Sequence, residues 1–481
     1  PPNTPMDIPI SVHDLLATAP ITIVSLTALF VLIVESIVSK SESVTAWLAL
    51  IGLFAAMVSA FTLIQTTGTA YVGMVTTGGY ASFFAIVFCL SGILSIMLSK
   101  MYIRRQGIEH GEYYALLLFA VIGMMLMAAA ADLIVFFLGL ELMSVCFYVL
   151  AGFARKRVAS NEAALKYFLL GAFATGFLLY GIALVYGCTG TTNIELIIQK
   201  GDTAFESKLF LIGLGLLVVG LGFKIAGVPF HMWVPDVYEG SPTTVSGFMS
   251  TGGKAAAFSA ILLIFAPKMI NAVDALRDVL AAIATLSMIV GNVLAISQNN
   301  IKRMLAYSSI AHAGYILVGV IAANEAGANG VLFYLLAYTV MNVGAFGILS
   351  VGESREGEYL TFEDYTGLST QRPLLAGLMA LFMFSLAGIP PFAGFFGKYY
   401  VFAGAVEAGY TWLAVVGVLM SAVSAYYYLK LVVVMYFKEG VSTMEAPVPA
   451  LSLVALVVSA IGLLGLGIFP SVVLKLTEQI F

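Results

Sequence analysis

Five ionisable residues stand in the middle of apolar runs: Glu141 in FFLGLELMSVCF, Lys224 in GLGFKIAG, Lys254 in MSTGGKAAAF, His312 in SSIAHAGYIL and Lys398 in AGFFGKYYVF. A charge at the depth of the hydrocarbon costs a few kcal/mol even on the scale derived from insertion. A lysine near a helix end escapes that cost by snorkelling. From the centre of a span its ammonium would have to reach about 15 Å, beyond its stem. These residue types suit proton transfer. Burial disfavours the charged form of a lysine, so a buried lysine releases a proton near neutrality more readily than an exposed one. A nearby carboxylate such as Glu141 would favour the protonated form of Lys224, and moving that partner away would favour release. Histidine titrates near neutrality without help. Sodium transport would instead favour carboxylates and unwound carbonyls. Three lysines, one histidine and one glutamate point to a proton relay.

A second rank of residues has a plain structural reading beside the functional one. Glu162 and Lys166 are four apart, in the favourable order for a helix pair; they are a surface pair or a point where protons come in. His231 and Asp236 follow a break in the chain and either cap it or belong to the path. Tyr307 and Ser308 either hold water near His312 or are the polar residues that most membrane helices carry by chance. Lys430 lies seven residues from the end of its span, where snorkelling is the simpler account. Asp132 and Lys302 sit at span ends and are read as boundary charges, and the tyrosines at 426–428 as packing and interface anchors. The three cysteines, Cys89, Cys146 and Cys188, have no partners at metal-ligand spacing, so no metal or cluster site is expected. No dinucleotide or nucleotide phosphate loop is present in a suitable context.

The elements that must position these residues are helices in a membrane. The chain has 481 residues, 61% hydrophobic and only 10% charged, against about a quarter charged in a soluble domain. Lipid permits only helices or a closed barrel, and twenty-residue apolar runs exclude barrel alternation. The net charge of −4 gives no reason to expect nucleic acid. Fourteen spans are expected, near 15–38, 44–66, 79–100, 113–131, 133–153, 160–187, 207–229, 242–266, 274–297, 302–323, 327–351, 371–406, 411–437 and 449–474. The segment 192–200 is too short to span and is expected at the interface. The start of the chain lacks the basic and cleavable features of a signal peptide. With the N-terminus outside, twelve Lys and Arg residues fall in inner loops and five in outer ones. Both termini are therefore expected on the outer side.

Two spans are abnormal. The seventh carries Lys224, Gly227, Pro229, His231 and Pro235. The twelfth reads SLAGIPPFAGFFGKYYVF, with Pro390 and Pro391 before Lys398. Proline beside glycine unwinds a helix, and unwound backbone persists at depth only where protein or a wet cavity satisfies it. The breaks are five spans apart, an odd number, which is the signature of an inverted repeat. The correspondence is imperfect: Lys224 precedes its break and Lys398 follows its own.

The stretches FKIAGVPFHMWVPDVYEGSPTTVSGFMSTGGKAA, NNIKRMLAYSSIAHAGYILVG and SLAGIPPFAGFFGKYYVF resemble the antiporter-like membrane subunits of respiratory complex I, over about Tyr114 to Phe437. Among the three paralogous types the resemblance is to the N type: Lys398, where the M type has a glutamate, and no long lateral helix after the last span as in the L type. The resemblance implies an all-α membrane protein with two inverted five-helix repeats, helices 4–8 and 9–13, each with a broken helix, 7 and 12. The corresponding parts are helices 1–3 in 1–112, the first repeat in 113–266, the second in 274–437 and helix 14 in 449–481. It implies a Glu–Lys pair at Glu141 and Lys224, a central lysine at Lys254, a histidine at His312, a lysine at Lys398 after the second break, and Lys166 on the sixth span. It further implies proton translocation in a bacterial inner membrane, among other membrane-arm subunits including paralogues. NADH, FMN, iron–sulfur clusters and quinone would be bound by partner subunits and no cofactor by this chain. Alternatives are a subunit of a multisubunit sodium/proton antiporter, or of a related membrane-bound hydrogenase or plastid-type complex. A purely structural anchor would not need five ionisable residues at mid-span.

Overall fold

The computed structural model describes residues 11–38, 42–354, 360–444 and 447–480, the side chains of 202 and 203 apart. Lys40 and Arg355, both counted among the inner-loop cations, lie outside the described residues. Twelve described helices are long and apolar enough to cross a membrane. They include α1 (Ala19–Ile37), α2 (Glu42–Leu63), α3 (Gly79–Gln106), α5 (Leu133–Ala151), α6 (Val158–Thr189) and α7 (Lys208–Ile225). Before α5 comes α4 (Glu112–Ala128), apolar but only 17 residues long. After α7 come the short α8 (Val234–Gly240) and the span Thr243–Ile264, made of α9 (Thr243–Phe248), a π-turn (Met249–Gly253) and α10 (Lys254–Ile264). Then follow α11 (Asp274–Ile296), α12 (Ile301–Ala322) and α13 (Glu325–Gly352). The twelfth expected span is two helices of 15 residues, α14 (Pro373–Ala387) and α15 (Ala393–Glu407). The chain ends with α16 (Thr411–Phe437), α17 (Ala450–Ile468) and a short helix. The fourteen spans expected from the sequence correspond to the twelve, to α4 and to the split α14–α15. A short antiparallel hairpin, β1 (Thr67–Ala70) with β2 (Val75–Gly78), joins α2 to α3 and was not foreseen.

Helix ends follow local chemistry. Asp132 accepts from the Ile134 amide at 2.8 Å at the start of α5, Asn300 from Arg303 at 3.0 Å before α12, and Asn324 from Gly327 at 2.8 Å before α13. Burial is graded. In the most apolar window of α12 and of α13, 94% of residues are buried, and 89% in Thr243–Ile264, against 22% in α1 and 33% in α6. The helices carrying Lys254 and His312 are thus the axis of the molecule, wrapped by others that face outward. Close approach holds neighbouring helices together. A Cβ on Gly123 of α4 would stand 2.6 Å from the Gly139 carbonyl oxygen of α5, and one on Gly314 of α12 would stand 2.7 Å from the Ala284 carbonyl oxygen of α11. Only glycine permits backbones that near.

Both expected breaks are present, and their edges are sharper than the sequence implies. Helix α7 stops at Ile225 because Ala226 turns left-handed, with φ of 64°. The seventh span therefore ends four residues before the expected 229, and Pro229 lies in the connection. The freed backbone is held by neighbours: the Val228 amide donates to Ser287 Oγ at 2.9 Å, and Trp233 Nε1 donates to the Phe223 carbonyl at 3.0 Å. Helix α14 stops at Ala387 ahead of Gly388, with φ of 87°, and Pro390 and Pro391 occupy the turn into α15. There the Gly394 amide donates to Ser385 Oγ at 3.0 Å. All three prolines are exposed at the surface of the chain.

Candidate proton-conducting axis

Lys224, Lys254, His312 and Lys398 are all deeply buried, with relative exposures of 7, 2, 1 and 4%. Lys224, in the last turn of α7, donates to Ser144 Oγ at 2.7 Å, and Ser144 passes its proton toward the Leu140 carbonyl. The ammonium is ringed by Tyr148, Tyr167 and Phe223 at 5.6–5.9 Å from their centroids. Glu141 lies one helical turn before Ser144 on α5, is half-buried, and accepts from Thr175 Oγ1 of α6 at 2.9 Å. Glu141 and Lys224 make no direct ion pair, but the ammonium lies in the field of the carboxylate. Ser144, which bonds the ammonium, is on the same helix as Glu141.

Lys254 begins α10, directly after the π-turn. Such turns redirect side chains and are frequent at functional sites. Its ammonium donates to the Ser309 hydroxyl at 2.5 Å and to the Ser309 carbonyl, and lies 5.7 Å from the Tyr338 ring centroid. One turn further along α12, His312 bonds Tyr334 through Nδ1 at 2.7 Å and Tyr428 through Nε2 at 3.1 Å. Tyr428 also bonds Ser308. His312 lies in the field of both Lys254 and Lys398. Lys398 reaches back across the second break. It donates to the Leu386 and Ala387 carbonyls, each at 3.0 Å, and to Ser421 Oγ at 2.8 Å, and stands 5.0 Å from the Tyr315 centroid. The carbonyls freed at the end of α14 thus solvate a cation. The first break works differently: Trp233, and not Lys224, satisfies the carbonyl there.

Among the second-rank residues, Lys166 donates to Asp236 at 2.9 Å and pairs with Glu162 at 2.6 Å. Arg303 joins Asp236 at 2.9 Å and Glu239 at 2.6 Å. These groups form one half-exposed network across α6, α8 and α12, joining residues up to 70 positions apart in the chain. Burial favours the neutral form of Asp236, but the hydrogen bonds and charges of Lys166 and Arg303 outweigh it and hold the carboxyl below its usual range. His231 is half-buried in the first break. Tyr307 is half-buried on α12 with its ring 6.0 Å from the Arg303 guanidinium, and the hydroxyls that bond His312 are those of Tyr334 and Tyr428. Tyr428 is therefore more than the packing residue expected from the tyrosine run.

Lys302 corrects the expectation of a boundary charge. It is fully buried, donates to the Ser241 carbonyl at 2.5 Å, and faces Glu353, which is 1% exposed. Glu353 also accepts from Tyr102 at 2.8 Å, Thr243 at 2.5 Å and Arg157 at 3.1 Å. Burial alone would raise its carboxyl; Lys302 and Arg157, with the two hydroxyls, instead hold it below the usual range. Glu353 drew no notice in sequence because it lies at a span end, where carboxylates are ordinarily solvated.

The family described as NADH:quinone oxidoreductase/Mrp antiporter, transmembrane, matches residues 130–424. The chain is 50% identical over 470 residues to NADH-quinone oxidoreductase subunit N of Trichlorobacter lovleyi, covering 96% of this chain and 95% of that protein. It is 45% identical to NADH-quinone oxidoreductase subunit N 2 of Rhizobium meliloti, covering 96% and 97%. Among solved structures it resembles a chain of respiratory complex I from Thermus thermophilus, with a TM-score of 0.82, 37% identity and coverage of 95% and 98%. A chain of the Mrp complex from Dietzia shares the fold, with a TM-score of 0.85, 20% identity and 97% of each chain covered. With its buried lysines on two sides of a central histidine and its two broken helices, the chain belongs to the NADH:quinone oxidoreductase/Mrp antiporter family of membrane proteins and, within it, to the subunit N group of complex I.

Proposed function

We propose that this chain is the proton-translocating N subunit of a membrane-embedded NADH–quinone oxidoreductase. The observation that carries this reading is the set of three buried lysines, each solvated by neutral hydroxyls, carbonyls or rings rather than by a carboxylate in direct contact. An ion held that way is expensive, and a structural core gains more from apolar packing. A site that must alternately hold and release a proton needs such poise.

In this mechanism Glu141 and Lys224 form the first station. Ser144, bonded to the Lys224 ammonium, can reorient and pass a proton between them. Water carries the charge on to Lys254. Ser309 holds the Lys254 ammonium one turn from His312, and the imidazole relays through the hydroxyls of Tyr334 and Tyr428. Lys398 is the last station, and its carbonyl ligands at the second break change if α14 and α15 shift. Electrostatic repulsion along the row makes each proton movement sensitive to its neighbours. The Glu162–Lys166–Asp236 network is assigned to the approach from the inner side, and the breaks at Pro229 and Pro390–Pro391 to hinges.

The redox chemistry belongs to partner subunits that bind NADH, FMN, iron–sulfur clusters and quinone; this chain works beside other membrane-arm subunits, paralogues included. Its home is a bacterial inner membrane, with both termini outside and the basic loops inside. The stand-alone antiporter reading has less support: the subunit N relatives are 42–50% identical, the Mrp chain 20%. The deciding experiment is proton pumping by the assembled complex in proteoliposomes. Lys224→Ala and Glu141→Ala should each lower coupled pumping about tenfold or more, in keeping with loss of a proton-transfer group. Full pumping by both variants in an intact complex would end the proposal.

A further inference from the structure

We propose that the open cavity between α1, α4 and α5 binds an anionic glycerophospholipid, its phosphate on Arg155 and Lys156 and its acyl chains along the cavity wall. The cavity holds about 840 Å³ and changes character with depth. Leu32 of α1, Leu116 and Phe119 of α4, and Val149 of α5 supply an apolar wall. At its mouth stand His110 and the consecutive cations Arg155, Lys156 and Arg157, with Glu112 the one acidic lining residue. Arg157 is committed, since it pairs with the buried Glu353 at 3.1 Å. Arg155 and Lys156 are exposed, and among the described residues their side chains make no ion pair or side-chain hydrogen bond. Two uncommitted cations above an apolar slot match an amphiphile with a phosphate head. A free phosphate would leave Leu32 and Val149 wet, and a neutral lipid would leave both cations without a counter-charge.

The mouth lies at the end of the molecule that also carries Arg104 and Arg105, the end assigned to the inner face by its excess of basic residues. Anionic headgroups of that leaflet attract such basic clusters. The inference rests on the membrane reading and its orientation and is independent of the proton path.

The test uses the assembled complex in nanodiscs of phosphatidylcholine containing a small fraction of a phosphatidylglycerol whose acyl chain bears a diazirine. Illumination should label the segments around Leu116 and Val149. The Arg155→Gln/Lys156→Gln variant should lose roughly tenfold of that labelling, the effect of removing two headgroup cations. A phosphatidylcholine carrying the same diazirine should label both proteins weakly and alike. Unchanged labelling in the variant, or equal labelling by the two lipids, would overturn headgroup recognition. No labelling by either lipid would mean that a neighbouring subunit fills the cavity, which also overturns the proposal. Proton pumping measured on the same samples reports the separate question of the path.

Discussion

A lysine surrounded by neutral oxygens and rings is the recurring unit of this molecule. Lys224 has Ser144 and three aromatic faces, Lys254 has Ser309, and Lys398 has two carbonyls and Ser421. Each oxygen can follow the ammonium or remain behind as an acceptor, so the cost of losing the proton stays small. The tyrosines at His312 extend the principle, because a hydroxyl both donates and accepts. Tyr428→Phe removes the oxygen that joins His312 to Ser308, and coupled pumping should fall several-fold while assembly is preserved. Tyr307→Phe, whose ring faces Arg303, should leave pumping close to wild type. Equal losses in the two variants would show that the hydroxyl at Tyr428 has no special part. Lys430 stands 4.3 Å from the Phe362 ring centroid near the end of α16, and Lys430→Ala should be mild. A loss as large as that of Lys224→Ala would place it on the path after all.

At the scale of elements, the two breaks are secured by different means although both follow a residue with positive φ. Ser287 and Trp233 fix the first, while Lys398 itself ties the second to α16 through Ser421. Movement at the second break therefore alters a cation's ligands directly. The Glu353 cluster is the corresponding tie at the ends of the axial helices, joining α3, α12 and α13 to the loop before α6 and the turn before α9. Glu353→Gln leaves Lys302 buried without its counter-charge and should cost about 3–5 kcal/mol of stability near neutral pH. The carboxyl is held low in the folded protein, so its contribution is complete above its unfolded pKa of about 4.3 and is lost as pH falls through the folded value. Thermal unfolding of wild type and variant should differ most at pH 6–8 and converge in acid. A gap that stayed constant down to pH 3 would contradict the electrostatic account.

For the whole molecule, the proposed path makes the buried groups stations of one row rather than separate sites. His312 feels both Lys254 and Lys398, and Lys224 feels Glu141. Stations in series predict strong non-additivity. Lys224→Ala combined with Lys398→Ala should pump no worse than the more damaged single variant. If the two losses multiply, the halves conduct independently and the row is two parallel routes.

The membrane class, the helical solvent logic, the two breaks and the five central ionisable residues were legible in the chain, because a charge or a proline at mid-span is conspicuous against hydrocarbon. Composition and local rules suffice where one residue type is costly in one solvent. Partners were not legible. Ser144 beside Lys224, Ser309 beside Lys254 and Tyr428 beside His312 are ordinary residues on other helices, with sequence separations from 55 to 116. Lys302 reads as a boundary charge, and Glu353 goes unnoticed, because sequence position gives depth only along one helix. Whether a span end faces water or a neighbouring helix depends on how the helices pack around α12 and α13. Only the tertiary structure decides that, and it is what brings Lys254, His312 and Lys398 into one another's field.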